Sequence, residues 1–232
     1  MYDLVADHND FIIIDKSPGV GFHREQNSPG LTASVVSRLS IKRLYPVHRL
    51  DKMTSGLLLF AKSRDIARQL AGEFYSQSVE KYYIALSDRR PRKKQGLVAG
   101  DMDRARRGMW KLLPSMANPA VTQFFSCSIG NNLRLFVLKP HTGKTHQLRV
   151  ALKSIGSPVL GDPLYYSTSG SVDEADRCYL HSYALIFTLH DETFQFICRP
   201  RYGRLFRNES FRKAFRQYEK PWALPWPRMP FR

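Results

Sequence analysis

Two apolar runs, Val121 to Ile129 and Leu133 to Leu138, are separated only by Gly130-Asn131-Asn132. Residues that tolerate a positive φ between two strand-like runs close a tight antiparallel hairpin, so this stretch commits part of the chain to an antiparallel sheet. Further apolar runs recur along the chain. Phe11 to Ile14 reads as a buried strand that ends at the turn residues Lys16-Ser17-Pro18-Gly19, and Leu57 to Ala61 and Tyr82 to Leu86 read as two more. Cys178 to Leu189 with Thr193 to Cys198 reads as a second hairpin. Helical patterns fall between them. Thr32 to Leu39 forms a short one, and Ser63 caps another whose apolar positions Ile66, Leu70 and Phe74 recur at i, i+4 and i+8. Thr145 to Ile155 forms a third, closed by Gly156. Hairpins with a few interspersed helices and no internal repeat indicate an α+β fold rather than a doubly wound sheet, with residues 1–232 as one domain.

The charge is one-sided. Lys and Arg number 36 against 20 Asp and Glu, a formal charge of +16 with a pI near 10.0, which makes a polyanion the natural partner. A membrane surface is the competing anion, but the sequence carries no Lys-rich amphipathic anchor and no apolar run of spanning length. Met1 to Asp10 contains Asp3, Asp7 and Asp10 and lacks the basic start of a signal peptide, so a cytoplasmic protein is expected. Cys127, Cys178 and Cys198 are odd in number and form no CxxC pair, which indicates neither a disulfide framework nor a zinc site. Two regions concentrate the positive charge. Asp88 to Lys111 has nine basic and three acidic residues and is too polar for a core. Arg199 to Arg232 has ten basic and two acidic residues interleaved with aromatics, with an amphipathic helix expected near Ser210 to Glu219.

Two segments carry candidate chemistry. In Val47-His48-Arg49-Leu50-Asp51-Lys52-Met53-Thr54-Ser55-Gly56, one carboxylate stands between basic neighbours in a loop that leads into a strand. Flanking positive charge favours an anionic carboxylate that could serve as a nucleophile. The same pattern also describes a surface ion pair. In Lys139-Pro140-His141-Thr142-Gly143-Lys144-Thr145-His146-Gln147-Leu148-Arg149, a strand end, a Gly turn and a helix start follow one another, so Arg149 falls in the first turns of the helix. Leu148, Leu152 and Ile155 form the core stripe, and Arg149 lies one residue off it, at the border of core and cleft or as a solvated helix charge. Metal binding by His141 and His146 is disfavoured by their spacing and the lack of nearby Cys or carboxylate ligands.

Four motifs in order resemble the RNA pseudouridine synthases, most closely the group of the ribosomal large-subunit and transfer-RNA synthase A. They are His8-Asn9-Asp10 with Ile14-Asp15-Lys16-Ser17-Pro18-Gly19; His48-Arg49-Leu50-Asp51 with Thr54-Ser55-Gly56; Lys81-Tyr82-Tyr83-Ile84-Ala85; and Thr142 to Arg149 with Gly161-Asp162. The resemblance implies a mixed, largely antiparallel sheet in two abutting halves with flanking helices and a central cleft. It implies Asp51 as the catalytic carboxylate, Arg149 as its basic partner and Tyr83 as the ring that stacks on the target uracil. Tyr82 competes for that role, since adjacent strand residues face opposite ways. Arg49 would fill the space of the extruded nucleotide or hold its backbone. His48, Lys144 and His146 would contact the RNA, as would Arg104, Arg106 and Arg107 of an insertion that reaches over it.

The implied reaction is isomerisation of uridine to pseudouridine in transfer or ribosomal RNA, with base flipping and neither cofactor nor metal. Attack at C1′, attack at C6 and abstraction of a sugar proton are all compatible with one carboxylate, whereas glycoside hydrolysis usually employs two. The chain departs from the family pattern at Lys144, where Arg is usual, at Val150-Ala151-Leu152 and at Tyr165-Tyr166. No S4-type RNA-binding domain is expected before residue 8, and a monomer is the simpler state for so cationic an enzyme. A non-catalytic RNA-binding module on the same fold is the alternative reading.

Overall fold

A computed structural model describes residues 1–22, 30–167 and 175–229. In chain order the elements are β1 (Tyr2–Asp7), β2 (Phe11–Lys16), α1 (Leu31–Arg38), β3 (Tyr45–Pro46), β4 (Ser55–Ala61), α2 (Arg64–Tyr75), β5 (Glu80–Ser87), β6 (Gln95–Gly100), β7 (Met102–Arg104), β8 (Trp110–Leu112), β9 (Ala120–Gly130), β10 (Leu133–Pro140), α3 (Gln147–Ser154), β11 (Leu180–Leu189), β12 (Glu192–Ile197) and α4 (Glu209–Phe215). This is a mixed α+β fold whose strand pairs are largely antiparallel. The chain clusters into two compact units, Met1–Glu80 with Ser182–Pro200, and Lys81–His181 with Arg201–Arg232.

The first unit is built on β2 and β4, both buried along their whole length. β2 pairs with β1 on one side and β4 on the other, with Ile13 opposite Leu59. A strand covered on both faces must be apolar at consecutive positions, which is why Phe11 to Ile14 and Leu57 to Phe60 are unbroken runs. Ser63 caps α2 as expected, its hydroxyl accepting the Ile66 N–H at 3.2 Å. Ile66 and Leu70 then pack with Phe11, Leu57, Leu185 and Phe187. Gly56 admits no other residue: its φ is +106°, and a Cβ there would lie 2.2 Å from the Ser182 carbonyl oxygen.

The second unit runs β5-β10-β9-β6. The hairpin turn forms where the residues require it, with Asn131 at φ 48° and Asn132 at φ 57° in the left-handed region of a primed two-residue turn.

In three places the structure goes beyond the sequence reading or adjusts it. Residues 88–111, read as a basic insertion too polar for a core, supply β6, paired with β9 from Gln95 opposite Phe125 to Gly100 opposite Ala120, and the β7–β8 hairpin. An edge strand can be assembled by main-chain bonds without an apolar repeat, which left no signal in the residues. β1 was also unmarked, since only Tyr2 along it is fully buried. The third helix begins at Gln147 rather than Thr145, because His146 is left-handed at φ 56°.

Candidate active site

The Asp51 loop lies in the first unit. Asp51 is half-buried between exposed Arg49 and exposed Lys52, while Leu50 is anchored in the core. The loop is shaped through its main chain. Thr54 N–H donates to the Asp51 carbonyl at 3.0 Å, and the Lys52 carbonyl accepts from Gly19 N–H at 2.9 Å and from the Lys16 ammonium at 3.0 Å. Lys16 is fully buried and also donates to the carbonyls of Ser17 and Val20, both at 3.1 Å. One cation at the end of β2 therefore ties the Ser17-Pro18-Gly19 turn to the Asp51 loop. His48 serves this unit as well, with its Nε2 accepting the Leu59 N–H at 3.0 Å and its ring stacked on Phe74 at 4.8 Å.

Arg149 lies in the second unit and corrects the border position read from periodicity. Only 3% exposed, it is clamped by an equally buried carboxylate: Nε donates to Asp162 Oδ2 at 2.7 Å and Nη2 to Asp162 Oδ1 at 2.8 Å. Asp162 Oδ1 also accepts the N–H groups of Leu164 at 2.9 Å and Tyr165 at 3.2 Å. A two-point guanidinium–carboxylate fork fixes the plane of the cation, which a single contact would leave free to swing. Thirteen residues separate the partners, so no helical spacing announces the pair. The acidic residue after Gly161 was part of a motif but had no assigned role.

Tyr165, noted in the sequence only as part of a departure from the family pattern, is a second residue with no role assigned there. The Arg149 guanidinium lies 5.0 Å from its ring centroid. Its hydroxyl accepts the Trp110 N–H at 2.7 Å and lies 3.0 Å from His146 Nδ1. Trp110 begins β8, and Arg104 on the paired β7 lies 5.8 Å from its ring. The structure thus brings His146, Arg149 and the basic hairpin together through one phenol. Arg106 and Arg107 sit exposed on the connecting turn.

Gln147, also unassigned from sequence, closes the Thr142 to His146 loop. Its Oε1 accepts from Thr142 Oγ1 at 2.7 Å and Lys144 N–H at 2.9 Å, and its Nε2 donates to the Val121 carbonyl at 3.1 Å and Thr122 Oγ1 at 3.0 Å. Lys144 itself reaches Asn118 Oδ1 at 2.7 Å. His141 pairs with Gln123 Oε1 at 2.7 Å, so the two histidines have separate polar partners. Among the described residues no group of three or more His, Cys, Asp or Glu side chains is arranged to hold a metal ion.

The two tyrosines of β5 differ in their surroundings. Tyr82 is fully buried, 6.0 Å from the Trp226 ring and 5.2 Å from the Lys139 ammonium. That face of β5 is covered by the C-terminal segment. Tyr83, opposite Leu138 on β10, points the other way.

Comparison with known proteins decides what such a chain is. Residues 10–154 match the family model described as RNA pseudouridylate synthase. The chain belongs to the RNA pseudouridine synthase family. An uncharacterised RNA pseudouridine synthase of Haemophilus influenzae is 48% identical over 202 residues, covering 87% of this chain and 89% of that one. The dual-specificity RNA pseudouridine synthase RluA of Pasteurella multocida is 33% identical over 190 residues, covering 80% and 86%. Among solved structures, human RNA pseudouridylate synthase domain containing 1 matches with a TM-score of 0.73 at 25% identity, covering 86% of this chain and 84% of that one. The activity class follows: an isomerase that modifies RNA. The synthase carries Asp51 in its first unit and Tyr83 and Arg149 in its second, and the matched segment includes all three.

Proposed function

We propose that this synthase converts a specific uridine of transfer or ribosomal RNA to pseudouridine, with Asp51 as the catalytic carboxylate, Arg149 as its cationic partner and Tyr83 as the stacking ring. In that reaction the N1–C1′ bond breaks, the uracil turns, and C5 bonds to C1′. The hydrogen on C5 is lost as a proton and N1 gains one. Asp51 would hold the ribose or base during the turn, which keeps the detached uracil from escaping. A guanidinium partner offsets the cost of keeping a carboxylate ionised away from water.

The uridine must leave its helix to be reached, at a cost of a few kcal/mol. Stacking on Tyr83 would return about 1–3 kcal/mol per base, and Arg49 would occupy or brace the vacated position. His48, Lys144, His146, Arg104, Arg106 and Arg107 are proposed to contact the RNA backbone, with the enzyme acting as a cytoplasmic monomer. The observation that carries this reading is the rigid burial of Arg149 in the Asp162 fork. A cation made immobile at such cost is suited to one fixed task rather than to general surface charge. Tyr83 is favoured over Tyr82 because Trp226 and Lys139 occupy the surroundings of Tyr82.

Substituting Asp51→Asn and measuring both pseudouridine formation and RNA affinity tests the proposal. Product is expected to vanish while affinity stays within about threefold, since phosphate contacts dominate binding. Unchanged product yield would refute the role of Asp51, whereas RNA binding without any product from the wild type would favour a binding module.

A further inference from the structure

The C-terminal segment from Arg201 onward has no part in the chemistry proposed above, yet it is firmly built. Phe206, Phe211 and Phe215 are each at most 4% exposed. They form a ladder with Tyr179, with successive ring centroids 5.0, 5.2 and 5.3 Å apart. The start of the segment is pinned by Asp176, which accepts the Arg204 N–H at 2.9 Å and the Tyr179 hydroxyl. Its far end is pinned by Trp226, 4.9 Å from the Phe125 ring, with its indole N–H donating to the Pro221 carbonyl at 2.8 Å. This is a docked arm, and its last three residues lie outside those described.

Docking sorts the residues of the arm. Phe206, Phe211 and Phe215 turn inward, while Arg207, Arg212, Lys213, Arg216 and Lys220 are exposed. Among the described residues, none of these five forms an ion pair. Arg212 on α4 and Arg216 at its C-cap are four residues apart, each next in sequence to a buried phenylalanine, Phe211 and Phe215. We propose that this outer face of the arm is a second RNA-binding surface that grips phosphates of the substrate beyond the nucleotides around the target uridine.

The arrangement separates RNA from other anionic partners. A helix that lies on a membrane turns its apolar face to the lipid, and here that face is spent on the fold. A protein partner would need an apolar or aromatic centre to its interface, and beside these cations the rings of Phe206, Phe211 and Phe215 are buried in the fold. What remains is a row of exposed cations on a docked backbone, the form that reads a phosphate backbone without reading bases. Because the arm is already ordered, RNA binding would not have to meet the entropy of folding it.

The proposal takes RNA as the polyanion from the family, and it is independent of which residue performs the isomerisation. Bulk transfer RNA serves as the probe, with affinity measured across a salt series for the wild type and for R207Q/R212Q/K213Q/R216Q. Each phosphate contact contributes about 0.7–0.9 to the slope of log affinity against log salt, so the slope should become shallower by about 3 and the affinity at 0.1 M salt should fall about tenfold or more. R207K/R212K/R216K should bind like the wild type, because point charges suffice for phosphate. If the four-site variant fails to fold, R207Q/R216Q carries the test with about half the change in slope. Asp51→Asn should retain the full salt slope while losing product, which separates failure of this surface from failure of the catalytic assignment. An unchanged slope in a folded variant overturns the proposal. So does a loss confined to binding of phosphatidylserine vesicles with transfer RNA affinity intact.

Discussion

The Asp51 loop and the Arg149 pocket are held by opposite means. The loop is shaped through main-chain atoms, with the buried Lys16 ammonium and the Gly19 N–H both directed at the Lys52 carbonyl. The pocket is shaped through the side chain itself, with Nε and Nη2 of Arg149 locked onto one carboxylate. A carboxylate proposed to form and break a bond needs a fixed backbone beneath it, and a group that supplies charge gains from an orientation fixed by its own contacts. The contrast fits the roles proposed for the two residues.

The contrast can be broken most severely at the fork. Asp162→Ala leaves a buried guanidinium without its carboxylate and is expected to cost about 3–5 kcal/mol, read as a lower urea midpoint with an unchanged m value. Product formation should fall further than the population of folded enzyme accounts for, because Arg149 would lose its fixed plane.

Lys16→Met, which keeps most of the volume, tests the loop. Three carbonyls lose their shared donor, and about 2–3 kcal/mol of stability should go with it. Faster amide hydrogen exchange at Lys52 to Thr54, with no change at Leu164 and Tyr165, would confirm that the two supports are independent. Equal loosening at both places would merge them into one network and undo the comparison.

A smaller effect is expected from Tyr165→Phe, which keeps the ring under Arg149 but removes the hydroxyl that receives the Trp110 N–H. The cost should be about 1 kcal/mol. The split between kinetic constants is the sharper readout: KM for RNA should rise as the basic hairpin loosens, while kcat is little changed. A fall in kcat alone would instead tie the phenol to the chemistry.

The smallest effect concerns the arm. Burial pushes the Asp176 carboxyl up, but hydrogen bonds from the Tyr179 hydroxyl and the Arg204 N–H outweigh it and hold the group below the ordinary carboxylate range. A depressed folded value means that this contribution is complete above the unfolded value of about 4 and is lost as pH falls through the folded one. Protease cleavage near Arg204 should therefore accelerate on going from pH 5 to pH 3, and Asp176→Asn should abolish the dependence.

Several features were legible because local physics dictates them. Consecutive apolar residues at Phe11 to Ile14 and Leu57 to Phe60 could only be doubly covered strands, and Gly130-Asn131-Asn132 could supply the positive φ values its hairpin needs. Ser63 capped α2 for the same reason. Edge strand β6 and strand β1 were illegible, since their pairing uses main-chain groups that every residue carries. Arg149 misled for a different reason. Periodicity places a cation off the core stripe, and only a carboxylate thirteen residues away made its burial tolerable.

By itself, then, the order of residues determined the fold class, the motif series that marks an RNA pseudouridine synthase, and the identity of the acid and base worth testing. Tertiary structure alone decided that Arg149 is buried and clamped, that Tyr165 joins it to the basic hairpin, and that Tyr82 rather than Tyr83 lies beneath the C-terminal arm. Caps, turns and apolar runs act over a few residues and leave a local record. Desolvated charge pairs and covered faces depend on partners distant in the chain, and these exist only once it has folded.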